Sequence, residues 1–351
     1  MNGKRWLALV LSLLLVLSLA LVPGCASDDE PEAEEPVVEE PVVEEEEPAV
    51  EYVDASAEIL AAGAAYLGSG PAPTIASEDL YNALQAGDTS YQVVSIRGAD
   101  HYALGHIEGA INIGFKEIYT EENLAKLDPN KKIVVVCYTG HTASMATMFY
   151  NLLGYDATAL RFGMSGWTTD EVVYAAGALP DGVAKGYETT TEVPETGSFD
   201  LPMVDGEYME ARDAIIGEAE KFFAAGIPFT ISADDVYNNV VAAADPGYQI
   251  LSVRMDDVYG AGHLPGAINA VWTSVADEAV LSQLDPSKKT IVYCYTGHTG
   301  AQAAMFMNLM GYETINMKFG MSAWNSDPEV GGNGGYDPAA VANYATVAGA
   351  E

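Results

Sequence analysis

The chain has 351 residues, an apolar fraction of 49% and a formal net charge of −36, with 51 acidic side chains against 15 lysines and arginines. The length suits two domains of common size plus extra segments. So large an acidic excess excludes nucleic acid as a partner, because too few cations remain to neutralise phosphates. It also disfavours charge-driven docking on an anionic membrane surface and reads most simply as a solubility device. The three cysteines, Cys25, Cys137 and Cys294, are too few and odd in number for a disulfide framework.

In chain order, Lys4 and Arg5 precede an almost wholly apolar stretch from Trp6 to Val22, followed by Pro23-Gly24-Cys25. A charged start, an apolar run and a small residue before a break describe a secretory signal over residues 1–24. The cysteine directly after Gly24 resembles the bacterial lipoprotein signal. That resemblance implies lipidation at Cys25 and an extracytoplasmic protein lipid-anchored to the bacterial cell membrane. An ordinary cleaved signal and an uncleaved single-span anchor are the alternatives. Residues 25–56 are rich in Glu and Pro, with Glu-Glu-Pro-Val-Val repeats and no lysine or arginine. Like-charge repulsion and proline predict an extended, disordered tether.

Beyond the tether the chain repeats itself. Asp100, Tyr102, Gly105, His106 and Gly109 return as Asp257, Tyr259, Gly262, His263 and Gly266 at a constant offset of 157 residues. Leu127-Asp128-Pro129, Phe162-Gly163-Met164-Ser165 and Trp167 recur at the same offset. Upstream, Thr74-Ile75 and Asp79 match Thr230-Ile231 and Asp235 at 156, which implies a one-residue change in the intervening turn. One long register without insertion indicates a duplicated domain, not a solenoid. Two domains are expected, 57–195 and 196–351, with the boundary in a Gly/Thr/Pro/Glu-rich stretch.

Within a repeat, strands are expected at Gln92–Ile96, Ile133–Val136 and Thr158–Arg161, with a helix over Thr142–Leu153. Short apolar runs alternating with helical ones predict an α/β fold: a central, mainly parallel sheet flanked by helices on both faces. At the carboxyl end of the β-branched run Ile133–Val136 stands Cys137-Tyr138-Thr139-Gly140-His141-Thr142. It recurs letter for letter as Cys294-Tyr295-Thr296-Gly297-His298-Thr299 after Thr290–Tyr293. Open α/β sheets bind ligands at that end. A loop curled about a cysteine there aims backbone N–H groups and a helix N-terminus at the sulfur, and both stabilise an anion. Cys137 and Cys294 are therefore the candidate catalytic residues, with buried structural thiols as the alternative.

These blocks resemble the rhodanese family. Ser-Ile-Arg-Gly-Ala-Asp-His-Tyr-Ala-Leu-Gly-His-Ile-Glu-Gly-Ala-Ile-Asn is similar to its Asp-Val-Arg and Gly-His-Ile-x-Gly-Ala-x-Asn block. Cys-Tyr-Thr-Gly-His-Thr is similar to its Cys-x-x-Gly-x-(Thr/Ser/Arg) loop, and Phe-Gly-Met-Ser-Gly-Trp to its Gly-Gly-x-x-x-Trp closing block. The resemblance implies sulfur transfer through a cysteine persulfide, with a small-molecule sulfur donor, a thiol or cyanide-like acceptor and no cofactor. The family's aspartate is replaced by Ser95 and Ser252. Tyr138-Thr139 and Tyr295-Thr296 stand where thiosulfate-specific members carry basic residues, which favours polysulfide or a carried persulfide over thiosulfate.

His141 and His298 read either as a positive charge or proton relay beside the thiolate or as loop histidines facing solvent. Tyr138 and Tyr295 wall the site or merely cover it. Arg97 and Arg254 could bind anionic donors, but look more like internal ion-pair partners of Asp100 and Asp257. His106 and His263 read as structural turn residues. With no second ligand pair nearby, metal binding is not expected. A phosphatase of the same broad fold is disfavoured by the short loop and by Thr142 and Thr299 at its end. A non-catalytic sulfur-binding, redox-sensing or partner-binding module is the alternative from another class.

Overall fold

The computed structural model describes residues 51–175 and 182–349. The signal segment, Cys25 and nearly all of the tether lie outside the described residues. After a leading helix α1 (Ala55–Gly68), the first repeat runs β1 (Thr74–Ile75), α2 (Ser77–Gln85), β2 (Tyr91–Ser95), α3 (Ala99–Leu104), β3 (Ile111–Asn112), α4 (Glu121–Leu124), β4 (Lys132–Val136), α5 (His141–Leu152) and β5 (Ala157–Leu160). The second runs α6 (Ala211–Ala225), β6 (Thr230–Ile231), α7 (Ala233–Val236), β7 (Tyr248–Ser252), α8 (Asp256–Ala261), β8 (Ala267–Asn269), α9 (Glu278–Leu281), β9 (Lys289–Tyr293), α10 (His298–Leu309), β10 (Thr314–Met317) and α11 (Gly320–Trp324).

Each repeat forms one five-stranded parallel sheet, ordered β1-β5-β4-β2-β3 and β6-β10-β9-β7-β8. Each sheet is covered on both faces, which explains why its central strands read as continuous apolar runs. Alternation along β4 sends Ile133, Val135 and Cys137 to one side and Val134 and Val136 to the other. The first side meets α5 and, through it, α10 of the second repeat, so both sheets close on one shared central core. Two smaller cores lie outside, one around Leu80, Val134 and Trp167, the other around Val236, Ile291 and Trp324.

The repeats are also laced together. The chain that follows the first repeat crosses the second: Tyr187 stacks on Tyr237 at 4.1 Å, Glu188 O accepts from Trp324 Nε1, and Thr190 bridges His263. The chain that follows the second repeat does the same to the first. Tyr344 stacks on Tyr81 at 4.0 Å, Ala345 O accepts from Trp167 Nε1, and Val347 bridges His106. The leading helices exchange as well. Tyr66 of α1 hydrogen-bonds Gln302 and meets Trp272 edge-on, while Phe223 of α6 packs on Phe115 and Tyr119. The described residues from 51 to 349 accordingly belong to one compact unit, and a cut at 195/196 separates segments from the surfaces that they cover.

The one-residue difference between the repeats lies inside a helix, not in the turn after it. Residues Tyr237–Val241 form a π-helical turn continuing α7, whereas α2 is regular. A π-turn absorbs one extra residue without disturbing what flanks it.

Expressed separately, residues 52–195 and 196–349 should give no cooperative thermal transition by circular dichroism, and mixing them should restore one. Two halves that melt independently would contradict this interleaving.

Candidate functional site: two cysteine loops back to back

Both cysteines directly follow a central strand, and both loops end at a glycine in the left-handed region: Gly140 with φ 87° and Gly297 with φ 86°. The glycine is required twice over. Its conformation is one that side chains resist, and a Cβ on Gly140 would lie 2.5 Å from His298 Nε2. The turn points the Gly140 amide at Cys137 Sγ and the Gly297 amide at Cys294 Sγ, each at 3.1 Å. The start of α5 or α10 follows immediately, so the sulfur faces amide donors and the positive end of a helix. Both cysteines are free thiols, each only 2% exposed.

A second turn clamps each loop from outside. Cys137 O accepts from Met164 N at 2.9 Å and Tyr138 O from Ser165 N at 3.0 Å; Cys294 O and Tyr295 O accept from Met321 N and Ser322 N at 2.8 and 2.9 Å. This clamp is strained. Phe162 and Phe319 sit at φ 60° and 57°, where a bulky residue costs about 1–3 kcal/mol unless its surroundings hold it there.

The histidines do the holding, and the expectation that they face solvent fails: both His141 and His298 are buried. His141 Nε2 accepts from the Phe319 amide, and His298 Nε2 from the Phe162 amide, each at 3.1 Å and each across to the other repeat. An amide can only donate, so the ring proton is on Nδ1, which donates to Thr139 Oγ1 or Thr296 Oγ1 of the same loop at 3.0 Å. Both rings are thus neutral, and the longer 3.3 Å approach of His141 Nε2 to Thr296 O is no hydrogen bond in this tautomer. Burial above all, with His141 and Arg161 nearby, pushes the His298 imidazole well below its ordinary value. The two rings lie 5.4 Å apart.

The arginines are a second correction. Arg97 donates to the carbonyls of Gly105, Val173 and His101 and to Ser95 Oγ; Arg254 donates to Gly262 O, Val330 O, Ser252 Oγ and Tyr293 Oη. Both are fully buried, and among the described residues neither forms an ion pair with Asp100 or Asp257. Their donors are committed to pinning the chain, which leaves them unsuited to capture an anionic donor. Ser95 and Ser252 serve as neutral acceptors in that arrangement. His106 and His263 stack on Tyr102 and Tyr259 at 3.8 Å and bond their carbonyls, as turn residues.

The tyrosines cap the loops half-buried. Tyr295 Oη accepts from Met255 N at 3.1 Å; Tyr138 Oη accepts from Gly98 N at 3.2 Å and also lies 2.6 Å from His101 Nδ1. His101 went unnoticed in the sequence because it has no counterpart: Val258 occupies its place in the second repeat. The two sites therefore differ at the rim. Thr142 and Thr299 lie half-buried in the first turns of α5 and α10. Among the described residues no cluster of three or more His, Cys, Asp or Glu could hold a metal.

The His298 shift has a fixed sign. A ring that is neutral when folded and takes up a proton near pH 6.5 when unfolded contributes stability that is complete above that value. It is lost as pH falls, by up to about 1.4 kcal/mol per unit. Chemical denaturation between pH 7 and 5 should show such a slope, and His298→Gln, which cannot be protonated, should reduce it.

The rhodanese-like domain profile matches residues 76–170 and 232–327. A thiosulfate sulfurtransferase of Pseudomonas aeruginosa is 26% identical over 266 residues, covering 68% of this chain and 89% of that protein. The thiosulfate sulfurtransferase GlpE of Pseudomonas paraeruginosa is 34% identical over 86 residues, 24% of this chain and 76% of its own. Among solved structures, a thiosulfate sulfurtransferase from Pseudomonas aeruginosa aligns with 74% of this chain and 45% of that one at 18% identity, with a TM-score of 0.28. With both repeats matched over four of their five strands, their cysteine loops and their clamping turns, the chain belongs to the rhodanese-like domain family.

Proposed function

We propose that this protein is a sulfurtransferase that carries sulfane sulfur on Cys137 and Cys294. The observation that carries the reading is the doubled loop in which a backbone amide points at a cysteine sulfur from 3.1 Å at the mouth of a helix. Such a cradle holds an anionic sulfur without a cationic side chain. In the first step Sγ attacks the outer sulfur of the donor; the Sγ–S bond forms as the donor's S–S bond breaks, and the electron pair leaves with the donor remnant. In the second, an acceptor such as cyanide or a thiol attacks the outer persulfide sulfur, and the pair of the breaking bond returns to Sγ as thiolate. No external oxidant or reductant is consumed.

The donor we favour is polysulfide or a small persulfide. The loops present Tyr138-Thr139 and Tyr295-Thr296, and the nearby arginines are committed to carbonyls, which leaves the sulfonate-like oxygens of thiosulfate without the cationic donors that they call for. The near-complete burial of both sulfurs favours a second reading, a module that stores or senses sulfur without turnover. The discriminating experiment uses residues 52–351 with Cys137→Ser and Cys294→Ser, singly and together. Intact mass after polysulfide should show one added sulfur per remaining cysteine, and cyanide should remove it. Sulfur that loads but is never released selects the storage reading, and full transfer by the double variant refutes both.

We further propose that Cys25 is lipidated and that residues 25–56 hold the catalytic unit off the extracytoplasmic face of a bacterial membrane. The sequence Gly24-Cys25 after an apolar run supports this. Intact mass of detergent-extracted protein should show a chain that starts at acylated Cys25; a peptide retaining Met1 would refute it.

A further inference from the structure

The cysteine loops are joined by more than a shared core. His298 is carried by the second repeat, yet its Nε2 receives the Phe162 amide of the first. From Phe162 the connection to Cys137 has no slack. Gly163 follows with φ 54°, so tightly seated that a Cβ there would lie 2.4 Å from Cys137 O and 2.9 Å from Gly140 N. Met164 and Ser165 then donate to the carbonyls of Cys137 and Tyr138. The mirror path runs from His141 through Phe319 and Gly320, whose added Cβ would lie 2.3 Å from Cys294 O, to Met321 and Ser322. Ring contacts reinforce both crossings: Phe162 lies 5.1 Å from His298, and Phe319 lies 4.7 Å from His141.

Building on the sulfur-transfer reading above, we propose that His141 and His298 act in trans: each is a positioning residue for the cysteine of the opposite repeat, so that the two sulfur sites are set as a pair. Three observations carry this together. The strained Phe162 and Phe319 turns need an acceptor for their amides, and in each case it comes from the other repeat. Each histidine is fixed at its other nitrogen by a threonine of its own loop. It therefore registers that loop's position and passes it across. And Gly140 and Gly297 leave room for the incoming ring where any Cβ would collide with it. A displacement of one loop, such as uptake of an extra sulfur would cause, changes the support of the other.

The test uses single-site proteins of the whole chain. With Cys294→Ser, only Cys137 reacts; His298→Ala then removes a side chain on the opposite repeat. The rate of Cys137 alkylation by iodoacetamide, and of its sulfur uptake from polysulfide, should fall about tenfold or more, since small misplacements of a reacting group are costly. His298→Gln should recover most of the rate, because its amide oxygen reaches the place of Nε2. His141→Ala should act likewise on Cys294 in the Cys137→Ser protein. If His298→Ala fails to fold, Thr296→Val frees the ring at Nδ1 while keeping its volume, and should still slow Cys137. A Cys137 rate within about twofold of the parent in a folded His298→Ala or Thr296→Val protein overturns trans positioning. Parent proteins that alkylate normally but take up no sulfur would refute the transferase reading alone, leaving the alkylation series to decide this one.

Discussion

The shared core between α5 and α10 is the constraint from which the rest follows. Alternation along β4 and β9 places the cysteines on the same side as Ile133, Val135 and Val292, and that side is where the two repeats meet. A sulfur at the end of such a strand sits at the rim of the joint core, not on an outer face. The helices that point at the two sulfurs are the same helices that pack on each other, so the loops preceding them are brought back to back. Crossing histidines become possible only because of that apposition, and only the neutral tautomer satisfies a buried ring that faces an amide on one side and a hydroxyl on the other.

Much of this was legible in the residues. β-branched runs ending in cysteine marked β4 and β9 within a residue or so, because strand propensity, burial on both faces and the following helical pattern agree. The exact return of Cys-Tyr-Thr-Gly-His-Thr made the loop the centre of attention, and the constant register showed two copies. What the residues could not disclose was which copy touches which. His141 looks like a local loop residue, since its partner Phe319 is 178 positions away. Arg97 invited pairing with a carboxylate because charge is visible in a sequence, whereas carbonyl oxygens turned inward are not. The added residue near Tyr237 was assigned to a turn because a π-turn carries no compositional mark.

The copies are alike at the sulfur and unlike at the edges. His101 beside Tyr138 has Val258 as its counterpart, and Val136 is matched by Tyr293, whose hydroxyl supports Arg254 and the Leu264 amide. Ser144, which bonds Gly140 O, is matched by Ala301. Differences of this kind leave the cradle intact while altering polarity around it, so duplication has produced two related environments in place of one environment twice.

The lacing of the chain has a consequence in time. Tyr344 completes the covering of Tyr81 and Trp167, although 263 residues separate it from Tyr81. A chain made from its N-terminus cannot close its first sheet when that sheet has been synthesised; it must wait until the segment around Tyr344 has emerged. High contact order slows folding, and here it also fixes the order of events, since the first repeat is completed only after the second has been made. Until then the first sheet's outer face stays open, and the acidic stretch that precedes it in the sequence carries the like charge that keeps such unfinished chains apart.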